Sequence, residues 1–156
     1  RLVTQFKWGN LNDPKIHIDN NFNYTVNVLQ MKLMYLRLAA NFLAQDNDEK
    51  AAEVLDVLYD QVPYTRFSTS YTDIMNAGYY YQAGQTEKGD ALLNACANDC
   101  LDIVAFYVNM GPSFRKQATK EIQSQGGLLK EVLKVSDAAG RTNLSQSIED
   151  KLNKLL

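Results

Sequence analysis

The most reactive side chains in this sequence belong to two cysteines and one histidine. Cys96 and Cys100 are the only cysteines, and His17 is the only histidine, among 156 residues. A spacing of four places the cysteines one turn apart on a helix face, where a disulfide would distort the helix. A zinc site needs about four ligands, so these residues predict no metal site. Because free cysteine is among the most buried residue types, we expect Cys96 and Cys100 to lie in a contact between helices.

A serine or cysteine hydrolase needs a histidine base beside a nucleophile and an orienting group. His17 lies in a stretch where polar and apolar residues alternate, so that Ile16 and Ile18 point one way and His17 the other. We therefore expect His17 to face solvent without a catalytic role. The sequence contains no Gly-rich phosphate loop, nucleophile elbow or pair of zinc histidines. It predicts no catalytic, cofactor-binding or metal-binding residue, and no cofactor.

Carboxylates and aromatic rings are the other candidates. Glu53, Asp56 and Asp60 form an acidic strip at helical spacing. Nothing near them provides the apolar surroundings that raise a carboxyl pKa, so we expect a solvated face. The nine tyrosines and Trp8 suggest carbohydrate binding, because flat aromatic faces pack on sugar rings. The consecutive Tyr79–Tyr81 point about 100° apart in a helix, so packing is the favoured role.

Composition and charge describe one soluble globular domain. Hydrophobic residues make up 46% and charged residues 22%, and the formal net charge is -2. A chain of this size buries about 70% of its unfolded surface, which suffices for a core without metal or disulfide. The charge gives no general attraction to nucleic acid or anionic lipid, and no stretch approaches the roughly 20 apolar residues of a membrane span. Because the first residue is Arg1, we expect a mature product or a piece of a longer chain.

The hydrophobic period predicts an all-α chain of six helices after a lead-in. Residues 1–22 are predicted to be irregular or extended. A helix with two apolar faces begins near Asn23, and the next is capped by Asp46–Asp48 and ends at Val62–Pro63. The remaining predicted helices are Ser70–Ala83 with Gly84 as its stop, Thr86–Asn109, one from Ser113 to Ala138 kinked at Gly126–Gly127, and a last one from about Leu144.

An internal repeat with an offset of 38 residues relates the first four helices. The matched pairs are Ala39 with Ala77, Phe42 with Tyr80, Glu49 with Glu87, Lys50 with Lys88, Ala51 with Gly89, and Leu55 with Leu93. The unit is a helix pair with a short polar turn, which is typical of tetratricopeptide repeats. The predicted fold is a tetratricopeptide-like α-α superhelix in a single domain. It comprises the lead-in 1–22, two helix pairs over 23–110, and two further helices over 111–156.

In such a superhelix the first helices of the pairs line a concave groove where peptides bind. The predicted groove residues are Leu33, Leu36, Ala40, Leu43, Tyr71, Ile74, Gly78 and Tyr81. This face is too apolar to stay in water. We expect the lead-in, through Trp8, or the last two helices to cover it. The alternative is a hydrophobic groove for a partner segment.

Several segments resemble one family. They are Phe6–Asn10, Asp13–Pro14, Ile18–Asn20, Arg37–Ala39, Glu49–Ala51 and Gly84–Gly89. They are similar to the C-terminal soluble region of large multi-spanning membrane proteins of Bacteroidetes. This uncharacterised family is related to protein O-mannosyltransferases and other lipid-linked-sugar glycosyltransferases. The resemblance covers most of residues 5–110.

The resemblance implies a periplasmic domain attached to a membrane enzyme whose catalytic carboxylates lie elsewhere in that enzyme, so no catalytic residue transfers to this chain. We expect a non-catalytic domain that contacts a protein or peptide segment, such as loops of its own membrane region. Nucleic acid and direct membrane insertion are not expected. The alternative function is a carbohydrate-binding accessory module.

Overall fold

A computed structural model of the chain describes residues 2–19 and 27–155, and all regular structure in that part is helical. This confirms the all-α class. The α-helices are α1 (Leu2–Gln5), α2 (Leu29–Leu43), α3 (Asp48–Gln61), α4 (Tyr71–Gln82), α5 (Thr86–Asn109), α6 (Pro112–Gln117), α7 (Thr119–Ala138) and α8 (Thr142–Leu155), with a 3-10 helix at Tyr64–Arg66.

The lead-in is irregular rather than extended. After α1 the backbone turns twice, with Asp13 N donating to Asn10 O at 2.9 Å and Ile16 N to Asp13 O at 3.0 Å. These turns prevent the strand-like alternation expected around His17, and Ile16 is 39% exposed. His17 is exposed, as predicted. The predicted start of the first long helix at Asn23 lies outside the described residues.

Capping side chains start α3 and α4 where the sequence predicts helices. The Asn47 side chain accepts from Lys50 N at 3.2 Å at the start of α3. Before α4, Ser70 N and Ser70 Oγ both donate to Asp73 Oδ2, at 3.0 Å and 2.6 Å. The bonds from Lys50 N and Ser70 N satisfy main-chain donors that a helix start leaves unpaired.

The predicted number of six helices is wrong, because the described residues contain eight α-helices. One addition is the short α1. The other arises because the helix expected from Ser113 is broken at Ala118 and runs unbroken through Gly126 and Gly127. At the break, the Thr119 hydroxyl donates to main-chain carbonyls at the end of α6. A side chain that bonds carbonyls in this way competes with continuation of the helix.

Three helix-to-helix turns share one geometry. Asp46, Gly84 and Gly140 follow α2, α4 and α7 with φ of 54°, 70° and 69°, and the next helix begins two residues later in each case. The same pair of main-chain bonds closes each turn, as in the Schellman motif. The bonds are Asp46 N to Leu43 O with Asn47 N to Phe42 O, Gly84 N to Tyr81 O with Gln85 N to Tyr80 O, and Gly140 N to Asp137 O with Arg141 N to Ser136 O.

The helices that follow these turns also share their buried positions. A small residue is buried five positions after each left-handed residue, and a branched aliphatic residue is buried eight positions after it. The small residues are Ala51, Gly89 and Ser145, and the aliphatic residues are Val54, Leu92 and Ile148. The sequence predicts two helical hairpins with this arrangement, and the structure adds a third in α7–α8.

Contacts divide the chain into two compact units. The first comprises Arg1–Ser68 with Tyr79–Thr86, and the second comprises Thr69–Gly78 with Glu87–Leu156. In the first unit α2 packs against α3, and Phe42 and Leu43 pack on a small-residue cluster of Ala51, Ala52 and Ala83. In the second unit α7 packs against α8. Helix α4 contributes residues to both units.

Candidate functional site

The first unit contains a cleft of about 410 Å³ between the lead-in and the C-terminal half of α3. We call it the lead-in cleft. Its lining residues from the lead-in are Val3, Phe6, Lys7, Trp8, Gly9 and Asn10, and those from α3 are Val57, Asp60 and Gln61. The size falls in the range of small-molecule and short-peptide sites.

Arg66 holds the lead-in in place. Its guanidinium, at the end of the 3-10 helix, donates to the main-chain carbonyls of Leu11, Asp13 and Ile16, with a distance of 2.8 Å to Leu11 O. An ionised donor makes each of these bonds stronger than a bond between neutral groups. A single half-buried side chain thus fixes three carbonyls outside any helix or strand, of which Asp13 O also accepts from Ile16 N.

Trp8 ties the near end of the lead-in to α2. Its ring lies 4.9 Å from the Tyr35 ring and 5.4 Å from that of Phe6, the latter edge-on. Only 7% of Trp8 and 1% of Tyr35 is exposed. Burial raises the pKa of Tyr35. The neighbouring Trp8 indole lowers the pKa of Tyr35 again in part. Within the described residues the indole N–H makes no hydrogen bond of good geometry.

The turn after Trp8 requires unusual backbone angles. Gly9 and Asn10 are both left-handed, with φ of 67° and 58°. Glycine adopts this region freely, and asparagine tolerates it better than most residues. The two residues bend the chain immediately after the buried indole, so that Lys7, Gly9 and Asn10 line the cleft.

The lead-in cleft combines one accessible ring with opposite charges. Phe6 is 38% exposed. The exposed Lys7 and Asp60 place a cation and a carboxylate among the lining residues, and Asn10 and Gln61 add side-chain amides. Amides donate and accept hydrogen bonds, as main-chain peptide groups do. The arrangement can therefore hold an apolar side chain and bond the polar chain that carries it.

The groove residues of the first unit differ in burial. Leu36 is 1% exposed, and the half-buried Leu43 packs on the alanine cluster defined above. Leu33, Ala40 and Tyr81 are also half-buried. Trp8 packs on Tyr35 of the same helix α2, which is not one of the predicted groove residues. A partner would therefore find four of these five positions partly accessible.

The groove residues of the second unit differ among themselves. Ile74 is 1% exposed, whereas Tyr71 is 53% exposed. Gly78 is half-buried, and a Cβ added there would lie 3.6 Å from Val135 Cγ1 of α7. Within this unit one of the last two helices thus covers part of the predicted face, and Tyr71 stays accessible.

The acidic strip is only partly a solvated face. Glu53 and Asp60 are exposed, but Asp56 is half-buried and its Oδ1 accepts a 2.9 Å bond from the Tyr80 hydroxyl. Burial, followed by the bond to Asp56 and its charge, raises the pKa of Tyr80. Asp56 therefore satisfies a buried phenol, a role that the spacing of the carboxylates did not reveal.

Both cysteines are fully buried in α5, as predicted, and neither forms a disulfide. Burial raises the pKa of Cys100 to about 12, and the neighbouring Asp99 carboxylate adds to the shift. The thiol therefore stays protonated at neutral pH, whereas a nucleophilic cysteine must be a thiolate. Among the described residues no group of three or more His, Cys, Asp or Glu side chains is arranged to hold a metal ion.

Two structurally important cations, Arg66 and Lys32, were not predicted from the sequence. Arg66 lies in a segment without periodicity, so no pattern marks it. Lys32 is only 2% exposed although it lies in the amphipathic α2, and its ammonium stands 5.7 Å from the Phe67 ring centroid. A cation over an aromatic face is attracted by the ring quadrupole. The sole sequence signal is a lysine between the two apolar stripes of that helix.

Comparisons with protein-family models, with curated proteins and with solved structures found no match for this chain. The resemblance to the Bacteroidetes membrane-protein family therefore stays a prediction. Among the described residues, α5 is the one helix long and apolar enough to cross a membrane by length and composition. Core helices of soluble proteins meet the same criterion, and eight residues of α5 are buried.

Proposed function

We propose that this chain is a non-catalytic helical-repeat domain that binds a peptide segment of another protein or of its own parent protein. The observation that carries the proposal is the lead-in cleft, which offers an accessible ring, two amides and opposite charges in one concavity. As the resemblance suggests, the parent would be a membrane glycosyltransferase-like protein with this domain in the periplasm.

The repeat arrangement that we propose is tetratricopeptide-like, with three helical hairpins instead of two. The shared turn geometry and the shared small residue after it support this assignment. Helical-repeat domains usually need at least three units for a continuous core. The hairpin α7–α8 supplies the third helix pair, and its turn at Gly140 lies 56 residues after the turn at Gly84 in the sequence.

Peptide is favoured over carbohydrate by the number of accessible rings. Sugar platforms present a flat aromatic face, often more than one. In the lead-in cleft Phe6 is accessible, but Trp8 is almost fully buried and no tyrosine of residues 2–19 or 27–155 lines the cleft. A single ring flanked by amides suits one apolar side chain and its main chain. Carbohydrate binding stays the second candidate because the amides and Asp60 could also bond sugar hydroxyls.

Trp8 provides a reporter for both candidates, since it is the only tryptophan. We expect N-acetylated peptide amides with one large apolar side chain to shift the indole N–H resonance of Trp8 in a saturable titration. Methyl mannoside should produce no such shift. The variants Phe6→Ser and Asp60→Asn should weaken the response, while Tyr71→Ser, which removes an exposed ring elsewhere, should not.

The outcomes separate the candidates. A saturable response to the mannoside alone would support the carbohydrate candidate. If neither probe shifts the Trp8 signal, the cleft is not a binding site and the proposal fails. An equal response in the Phe6→Ser variant would place the binding elsewhere in the molecule.

A further inference from the structure

The corner formed by the end of α5, α6 and the start of α7, residues 103–120, exposes two large aromatic side chains. Phe106 and Phe114 are 59% and 60% exposed, the highest values among the exposed large hydrophobic side chains of the described residues. The Arg115 guanidinium donates to the Val108 carbonyl at 2.5 Å and so ties α6 to the last turn of α5. Phe106 packs edge-on against Tyr107, with ring centroids 5.3 Å apart.

The same corner has a charge opposite to that of the whole chain. Residues 103–120 contain Arg115, Lys116 and Lys120 and no acidic residue, and with the flanking Asp102 and Glu121 the formal charge is +1 in a chain of net charge -2. All three cations are exposed. Within the part of the chain that the structure describes, none of them pairs with a carboxylate. Net charge alone therefore hides a local attraction for anions.

We propose that the α5–α6 corner binds the surface of an anionic lipid bilayer. Lys and Arg near an anionic membrane are attracted to its surface, and adjacent aromatic side chains enter the boundary between headgroups and acyl chains. Two exposed phenylalanines and three exposed cations in the same segment supply both contributions. The contact is peripheral adsorption, in which no helix crosses the bilayer.

Two other occupants fit the observations less well. A symmetric dimer through this corner would bring Arg115, Lys116 and Lys120 against the same residues of a second copy, because such an interface uses one patch twice. Like charges would then repel each other. An acidic protein would need pockets shaped for Phe106 and Phe114, whereas a fluid bilayer adapts to side chains that protrude.

Flotation with lipid vesicles tests the proposal on the chain as it stands. We expect binding to phosphatidylcholine vesicles with a phosphatidylglycerol share of roughly one third, and little binding to phosphatidylcholine alone. Replacing Arg115, Lys116 and Lys120 together by Gln should weaken binding by roughly 100-fold, at about fivefold per charge. Phe114→Ser should weaken it by about tenfold.

Matched variants separate this corner from general charge effects. Replacing Lys130, Lys134 and Lys154 by Gln removes the same charge from other exposed positions of the second unit, and Met34→Ser removes an exposed apolar side chain of the first unit. Both controls should bind vesicles nearly as well as the parent chain. Raising the salt from roughly 0.05 M to 0.5 M should weaken binding of the parent chain, because screening shortens the range of the attraction.

Three results would overturn the proposal. One is the absence of binding to anionic vesicles, and another is equal binding to neutral vesicles. The third is a concentration-dependent dimer in sedimentation velocity that Phe114→Ser abolishes, which would assign the corner to self-association. Because circular dichroism can verify the helical content of each variant, a loss of folding would be recognised.

Discussion

Replacing Arg66 with alanine should release the lead-in and open the lead-in cleft. The guanidinium is the donor to three lead-in carbonyls, those of Leu11, Asp13 and Ile16. Asn12 Nδ2 also donates to Asp60 O, at 3.3 Å. Once Arg66 is removed, that bond and the packing of Trp8 still hold the segment in part.

The magnitude follows from the number and exposure of the bonds. A hydrogen bond to a charged group contributes about 1.5–3 kcal/mol when well buried. Arg66 is half-buried and the freed carbonyls can bond water, so we use about 1 kcal/mol for each bond. The sum of about 3 kcal/mol corresponds to a factor of roughly 150 between the closed and released lead-in.

Fluorescence of the single tryptophan measures this release. Because Trp8 is 7% exposed in the folded chain, the Arg66→Ala variant should show red-shifted emission and greater quenching by iodide. Its free energy of unfolding in urea should fall by up to about 3 kcal/mol. Arg66→Lys should show a smaller loss, because an ammonium lacks the planar fork that reaches several carbonyls.

Arg37→Ala is the matched control, since Arg37 is an exposed arginine of α2. A surface change of this kind should alter the free energy of unfolding by no more than about 0.5 kcal/mol. If Arg66→Ala and Arg37→Ala gave the same iodide quenching and the same urea midpoint, Arg66 would not anchor the lead-in. The lead-in cleft would then not depend on the Arg66 guanidinium.

Three further predictions concern the turns and the buried titratable groups. Asp46, Gly84 and Gly140 are left-handed, a conformation that favours glycine over other residues. Gly84→Ala and Gly140→Ala should therefore each lower the free energy of unfolding in urea by about 1 kcal/mol, whereas Asp46→Gly should raise it slightly. The pKa of Cys100 is raised to about 12, so between pH 9 and 12 the thiol ionises in the unfolded chain before it does in the folded chain. The free energy of unfolding should therefore fall over that range by up to about 1.4 kcal/mol per pH unit, and Cys100→Ala should remove this contribution to the fall. Tyr80→Phe should lower the melting temperature, because it removes one buried hydrogen bond worth about 1 kcal/mol. The same variant should show a smaller fall in stability above pH 10, because the raised pKa of the Tyr80 phenol disfavours the folded state at that pH.

The sequence predicted the helix boundaries best where a local signal sets them. Asn47 and the Ser70–Asp73 pair cap their helices, and Gly84 and Gly140 end theirs with left-handed residues. These effects act within one turn of the chain, so a single sequence carries them. The break at Ala118 was not predicted because threonine hydroxyls also bond main-chain carbonyls within helices that continue, so a threonine does not mark a break.

The candidate cleft was not predictable in the same way. Its shape depends on Arg66 reaching carbonyls some 50 residues away in sequence, and on Trp8 meeting Tyr35. Neither contact has a periodic or spacing signature. The prediction that the lead-in, through Trp8, or the last two helices cover the groove rested on the need to bury apolar surface, which identifies no partner residue. The predicted groove was drawn from periodicity alone, which cannot separate a buried Leu36 from an exposed Tyr71.

The third hairpin shows why side-chain identity is a weak guide to this fold. At the position of Phe42 and Tyr80 the third copy has Ser136, which is fully buried and whose hydroxyl donates to Arg141 O at 3.0 Å. A search for matching aromatic residues therefore passes over it. The turn is preserved because two main-chain bonds and one left-handed residue define it, and these place few demands on side chains. Backbone geometry at these turns, rather than side-chain identity, is therefore what the three hairpins share.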